Sequence, residues 1–99
     1  MITLVRTTTV MPGKAVEARD FANEIGGVVS RVTNNTVRVG MRIGGNVNEL
    51  CWIVQFDSLA QLEEQMGKWV SNAEFQAAAK RTEGLFVPGS VNDQIFQTN

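Results

Sequence analysis

Histidine and tyrosine are both absent from this chain of 99 residues, and cysteine occurs once. Without histidine, a Ser-His-Asp or Cys-His nucleophile system cannot be assembled, histidine-ligated haem is excluded, and the common zinc sites lose their imidazole ligands. Phenolic acid chemistry is excluded with tyrosine. The single Cys51 cannot close an internal disulfide, and no CxxC spacing exists, so neither a metal nor a cofactor is expected. Cys51 itself reads as a small core or cavity residue rather than a reactive thiol. The acid-base groups left are carboxylates such as Asp20, Glu24, Glu49 and Asp57. Asp20 and Glu24 fall on one solvated helix face and Asp57 stands at a helix start, so none forms a pair with visibly divergent environments.

Charge of one sign is also lacking. The formal net charge is −1, and the Lys and Arg residues are scattered, which leaves no basic stripe for neutralising phosphates; nucleic acid is not an expected partner. No apolar run approaches the ~20 residues that span a bilayer, and Met1-Ile2-Thr3-Leu4-Val5-Arg6 is too short and polar for the apolar region of a signal peptide. A cytoplasmic protein without a membrane partner is expected.

What is present is ordinary globular composition, 43% hydrophobic and 19% charged, with nothing that reads as a linker, repeat or second core. Residues 1–99 are read as one domain. A domain of this size buries a smaller share of its surface than a larger one, so a partner subunit covering spare apolar surface is expected to help it.

Ile2 to Val10 is rich in β-branched residues and ends at Met11-Pro12-Gly13, as a strand leading to a helix start would. Ala15, Ala18, Ala22, Ile25, Val29 and Val32 recur at alternating spacings of three and four, the buried stripe of a long helix. Gly26-Gly27 interrupts that helix at a cost of about 1 kcal/mol per glycine, which predicts close packing or a kink, and Asn34-Asn35 tolerates a left-handed stop. Thr36 to Ile43 alternates apolar and polar residues, Gly44 to Asn48 reads as a turn, and Leu50 to Phe56 reads as a third strand. Ser58 with Gln61 has the form of a capping box before Leu59, Leu62, Met66 and Trp69; Ser71 with Glu74 repeats it and predicts a break and restart. Gly84 to Ser90 is a loop, and Val91 to Gln97 a short last strand.

The order β, α, β-turn-β, α, β with right-handed crossovers predicts an α+β, ferredoxin-like βαββαβ domain: a four-stranded antiparallel sheet with two helices on one face. The other face is then bare and calls for a covering layer. Pairing Ile43 with Leu50 sets Met41 against Trp52, Val39 against Val54 and Val37 against Phe56, a wholly apolar face for the helices. The reverse face then carries Arg38, Gly40, Arg42, Cys51, Ile53 and Gln55.

That reverse face is neither core nor ordinary surface. Arg38 and Arg42 with Gln55 suit a carboxylate-bearing ligand, and Arg6 joins them if Leu4 faces the same side, which the mixed parity of Ile2, Leu4 and Val5 leaves open. Alternatively the arginines pair with acids such as Glu49 or Asp93, or with acids of another subunit. Trp52 and Trp69 lie on the apolar sides of their elements and read as core. Gly44-Gly45-Asn46 lacks the lysine and strand-loop-helix context of a phosphate loop and reads as a hairpin turn.

Three segments give the chain a family likeness: Trp52-Ile53-Val54-Gln55-Phe56-Asp57-Ser58-Leu59, Ser71-Asn72-Ala73-Glu74-Phe75, and Leu85-Phe86-Val87-Pro88-Gly89-Ser90. With them it resembles the dimeric α+β barrel superfamily, and within it the NIPSNAP-type proteins, from end to end. The resemblance implies a homodimer whose two sheets face each other around a cavity for a small ligand, and Arg38 and Arg42 make an anionic one the expectation. It implies no settled activity, since relatives include cofactor-independent antibiotic-biosynthesis monooxygenases and lactone isomerases; the haem-degrading relatives use a histidine missing here. The alternatives are thus a cofactor-free monooxygenase or isomerase, or a purely structural interaction domain.

Overall fold

A computed structural model describes all residues, 1–99. The strand Ile2–Thr9 (β1) is followed by the helix Ala15–Thr33 (α1), the strands Arg38–Met41 (β2) and Glu49–Phe56 (β3), the helices Leu59–Val70 (α2) and Ala73–Ala79 (α3), a 3-10 turn Lys80–Thr82, and the strand Asn92–Gln97 (β4). The sheet is antiparallel in the order β2-β3-β1-β4, with the helices on one face. This is the expected ferredoxin-like arrangement, with the second helical segment divided into α2 and α3.

The punctuation follows local chemistry. Asn34 ends α1 in the left-handed conformation, φ 55°, which a short polar side chain tolerates. At α2, Ser58 Oγ accepts the Gln61 N–H while Gln61 Oε1 accepts the Asp57 N–H, a reciprocal cap placed one residue upstream on the return bond. The restart departs from the sequence reading. Asn72, not Ser71, caps α3, its Oδ1 accepting the Phe75 N–H at 2.9 Å, whereas the Ser71 hydroxyl donates back to the Gly67 and Lys68 carbonyls and closes α2. The Asn72 backbone, φ −74° and ψ 130°, is extended as a cap requires; Ser71 is still helical.

A second departure lies in the hairpin. The observed pairs are Met41↔Leu50, Gly40↔Cys51, Val39↔Trp52 and Arg38↔Ile53, two residues away from the register expected from alternation alone. An even shift preserves facing, so both sets of side chains keep their sides. The reason is a wider connection. Asn46 organises it, with Oδ1 accepting from Asn48 N–H and its carbonyl from Glu49 N–H, so Ile43 leaves the strand and is 93% exposed.

Strand β1 resolves its own ambiguity: Ile2, Leu4, Thr8 and Val10 are buried toward the helices, so the even positions face inward and Thr3, Val5, Thr7 and Thr9 face the bare side. The buried side chains form three clusters rather than one. The largest joins Ile2, Leu4, Val54 and Phe56 of the sheet to Val29, Leu62 and Trp69; a second holds Val10, Ala18, Ala22 and Leu50; a third holds Phe21, Ile25 and Ala78. Ion pairs Arg31–Glu74 and Arg81–Glu24 tie α1 to the α3 region from outside.

Candidate functional site

Between the first and third of these clusters, a cavity of about 90 Å³ remains between the helix layer and the sheet. Phe21, Ile25, Gly26 and Val29 of α1 form one wall; Leu4, Arg6, Trp52 and Val54 of the sheet form the opposite one; Val37, Trp69 and Phe75 complete it. Helical periodicity places the α1 residues on one stripe, and strand alternation aims Leu4, Arg6, Trp52 and Val54 at that stripe. The polar end of Trp52 is already satisfied, since its indole N–H donates to the Ala22 carbonyl at 3.0 Å. It therefore anchors the ring and presents only its apolar body to the space. Gly26 leaves this wall without a side chain: a Cβ there would make ordinary contacts, 3.5 Å from Val37 Cγ1 and Val39 Cγ2 and 3.6 Å from Trp52 Cδ1.

Arg6 is the one charged residue in the lining. It occupies an inward position between Leu4 and Thr8, where alternation calls for an uncharged side chain, and it is held by Asp93 on the neighbouring strand β4. The pair is bidentate, with Nε to Oδ1 at 2.7 Å and Nη2 to Oδ2 at 2.9 Å, and the two side chains remain 30% and 34% exposed. Hydrogen bonding to Arg6 holds the Asp93 carboxyl below its ordinary range against the opposing effect of burial, with charge attraction adding to it. The same bond raises the Arg6 guanidinium, again against burial. Helices lie over β2 and β3 and pack on Ile2 and Leu4 of β1, whereas β4 is exposed throughout, so the pair stands at the open rim of the cavity.

The residues expected from sequence divide between two faces. Arg38, Arg42 and Gln55 lie on the bare side, as expected, whereas Arg6 does not join them: Leu4 and Arg6 both face the helices, because the buried parity of β1 is the even one. Arg42 donates Nε to Glu49 Oε1 at 2.9 Å, one of the pairings anticipated for it, and Gln55 donates to Thr3 Oγ1 at 3.3 Å. Arg38 has no ion pair and is exposed. Cys51 is half-buried on this bare face rather than in the core, beside Val5, Thr7, Arg42 and Gln94 around a hollow of about 180 Å³. Sequence reasoning missed the cavity between the layers. Gly26 and an arginine at an inward strand position were its available signals.

No cluster of His, Cys, Asp or Glu is arranged to hold a metal ion, and no helix is long and apolar enough to cross a membrane. No curated protein matches the chain. Among solved structures, a NIPSNAP domain protein of Burkholderia xenovorans superposes with a TM-score of 0.85 at 16% identity, over 100% of this chain and 95% of that one. A NIPSNAP family protein of Agrobacterium tumefaciens gives 0.83 at 20% identity, over 99% and 92%. A Nitrosomonas europaea protein described as a candidate antibiotic biosynthesis monooxygenase gives 0.73 at 7% identity, over 99% and 98%, a likeness of fold. The NIPSNAP family model matches residues 3–96, nearly the whole of the fold just described, and the chain belongs to the NIPSNAP family.

Proposed function

We propose that the protein is a homodimeric small-molecule-binding protein that takes a small, largely apolar molecule into the cavity between its helices and its sheet. The observation that carries this reading is the cavity itself, whose volume of about 90 Å³ is several times the ~10 to 15 Å³ that admits one water, yet whose walls are apolar apart from Arg6. Such walls give water too few partners to hold it and favour an apolar guest of the size of a short chain or small ring. Trp52 and Trp69 both line the space and report on it. Titration with hexanamide, a neutral probe of that size, is expected to change tryptophan emission saturably; a change that stays linear, or none, contradicts the reading.

The dimer rests on surface. The accessible area of 6178 Å² exceeds the roughly 5,600 Å² typical of a folded monomer of 10.9 kDa. The bare face also carries Val5, Ile53 and a 50% exposed Phe96. Sedimentation equilibrium at micromolar concentration is expected to give twice the chain mass, and a monomer alone contradicts it. The unpaired Cys51 suits the reducing cytoplasm.

A second reading is favoured by the hollow beside Arg42: a small anion held between two facing sheets by Arg38, Arg42 and Gln55. Arg42→Ala is then expected to weaken carboxylate binding in calorimetry while the dimer persists. Catalysis of the monooxygenase or isomerase kind, suggested by the fold shared with the Nitrosomonas protein, would use the same apolar cavity, and oxygen uptake with an aromatic substrate tests it.

A further inference from the structure

Resting on the cavity reading above, we infer that the molecule taken by the cavity is a carboxylic acid with a small apolar body, and that Arg6 reads its carboxylate in the place where Asp93 holds it when the cavity is empty. Three observations carry this. Arg6 is placed at an inward strand position flanked by buried residues, and it is the only charge in an otherwise apolar lining, so a charged guest group has one place to go. Asp93 engages only Nε and Nη2, and Nη1 makes no hydrogen bond to the protein, so an arriving carboxylate finds a free donor at the guanidinium from which to displace Asp93. Finally, the pair stands at the rim of the helix layer with about a third of each side chain exposed, where a carboxylate can arrive from water while its body enters the apolar space.

The chemistry favours a carboxylate over a bulkier or uncharged group. Guanidinium and carboxylate are planar and match in a two-point fork, as Asp93 itself demonstrates, and such charge-assisted bonds are the strong ones where water is thinned out. Arg6 bears a full positive charge at all ordinary pH, whereas its resident partner sits on β4, the strand left bare by the helices, and can turn to solvent without exposing core. Asp93 thus keeps the guanidinium neutralised and aimed until a carboxylate competes for it. The size of the cavity limits the buried body to a few carbons or one small ring.

The test compares hexanoate with hexanamide, equal in length and shape but different in charge, by tryptophan emission on the full chain. Hexanoate is expected to bind roughly ten- to a hundredfold more tightly, the range that charge-assisted bonds to one group supply. Arg6→Gln is expected to abolish that preference while hexanamide binding persists, and Asp93→Asn, which removes the competitor, to tighten hexanoate several-fold. Equal binding of the two probes to the wild-type protein, or a preference unchanged in Arg6→Gln, overturns the carboxylate assignment and leaves the cavity reading standing. Hexanoate binding that is unchanged or weaker in Asp93→Asn overturns the competition. Failure of both probes to bind removes the cavity reading and this inference together. Because the wild-type comparison needs no variant, it decides the matter even if Arg6→Gln does not fold.

Discussion

Arg6 and Arg42 show how one residue type does different work on the two sides of a sheet. Arg42 and Glu49 are paired at 2.9 Å on the bare face with side chains 44% and 22% exposed, a setting in which an ion pair contributes little. In the single chain Arg42→Ala would therefore change unfolding stability by no more than about 0.5 kcal/mol; in the proposed dimer, where a second copy covers this face, a larger loss is expected in urea melts, and a change within ~0.5 kcal/mol would mean that the face stays open to solvent. The Arg6–Asp93 pair predicts a pH dependence. The folded Asp93 carboxyl is held below its unfolded value, about 4, so its contribution is fully present above that pH and is lost as pH falls through the lower folded value. Thermal melts of the wild type and Asp93→Asn are accordingly expected to differ most near neutral pH and to converge in acid, and a gap that widens in acid contradicts the pairing. The inward facing of Arg6 was not readable from the sequence, because Ile2, Leu4 and Val5 supply apolar residues at both parities and only packing against the helices selects one.

Among the elements, α1 bears most directly on the cavity. Its stripe of apolar residues was legible, as was the cost of the glycines within it; what Gly26 faces was not, since that depends on Val37, Val39 and Trp52 arriving from the hairpin. A Cβ at position 26 would meet those neighbours at 3.5 to 3.6 Å, ordinary contact, so alanine fits. Gly26→Ala is expected to stabilise the fold by up to ~1 kcal/mol through helix propensity, and to weaken hexanamide binding because the methyl enters the cavity wall. A lowered melting temperature would show that the helix cannot accept even this group. The α2–α3 junction teaches a different lesson. Ser71 and Asn72 are both cap residues by type, and only the backbone decides between them: Asn72→Ala is expected to cost about 1 kcal/mol in denaturant unfolding. The hairpin's facing was legible from period-two alternation. Its register was not, because an even shift leaves both faces unchanged and the choice falls to the loop around Asn46.

For the molecule as a whole, the ferredoxin-like order was legible because each element is consistent with its neighbours, from the Pro12-Gly13 turn to the Ser58 cap. The cavity was hidden because its walls come from separate elements, Leu4 and Val54 of the sheet, Phe21 and Ile25 of α1 and Trp69 of α2, and no single segment encodes that. The sheet has two faces: a bare one, proposed above to meet a second copy, and a covered one with an unfilled seam. The guest is expected to enter the covered side. Backbone and indole N–H shifts followed by NMR during a hexanamide titration test it most directly. The shifts are predicted at Phe21, Ile25, Gly26, Val29 and the Trp52 indole, with Gly40, Arg42 and Phe96 of the bare face unmoved; shifts centred on the bare face instead, or absent from both, contradict it.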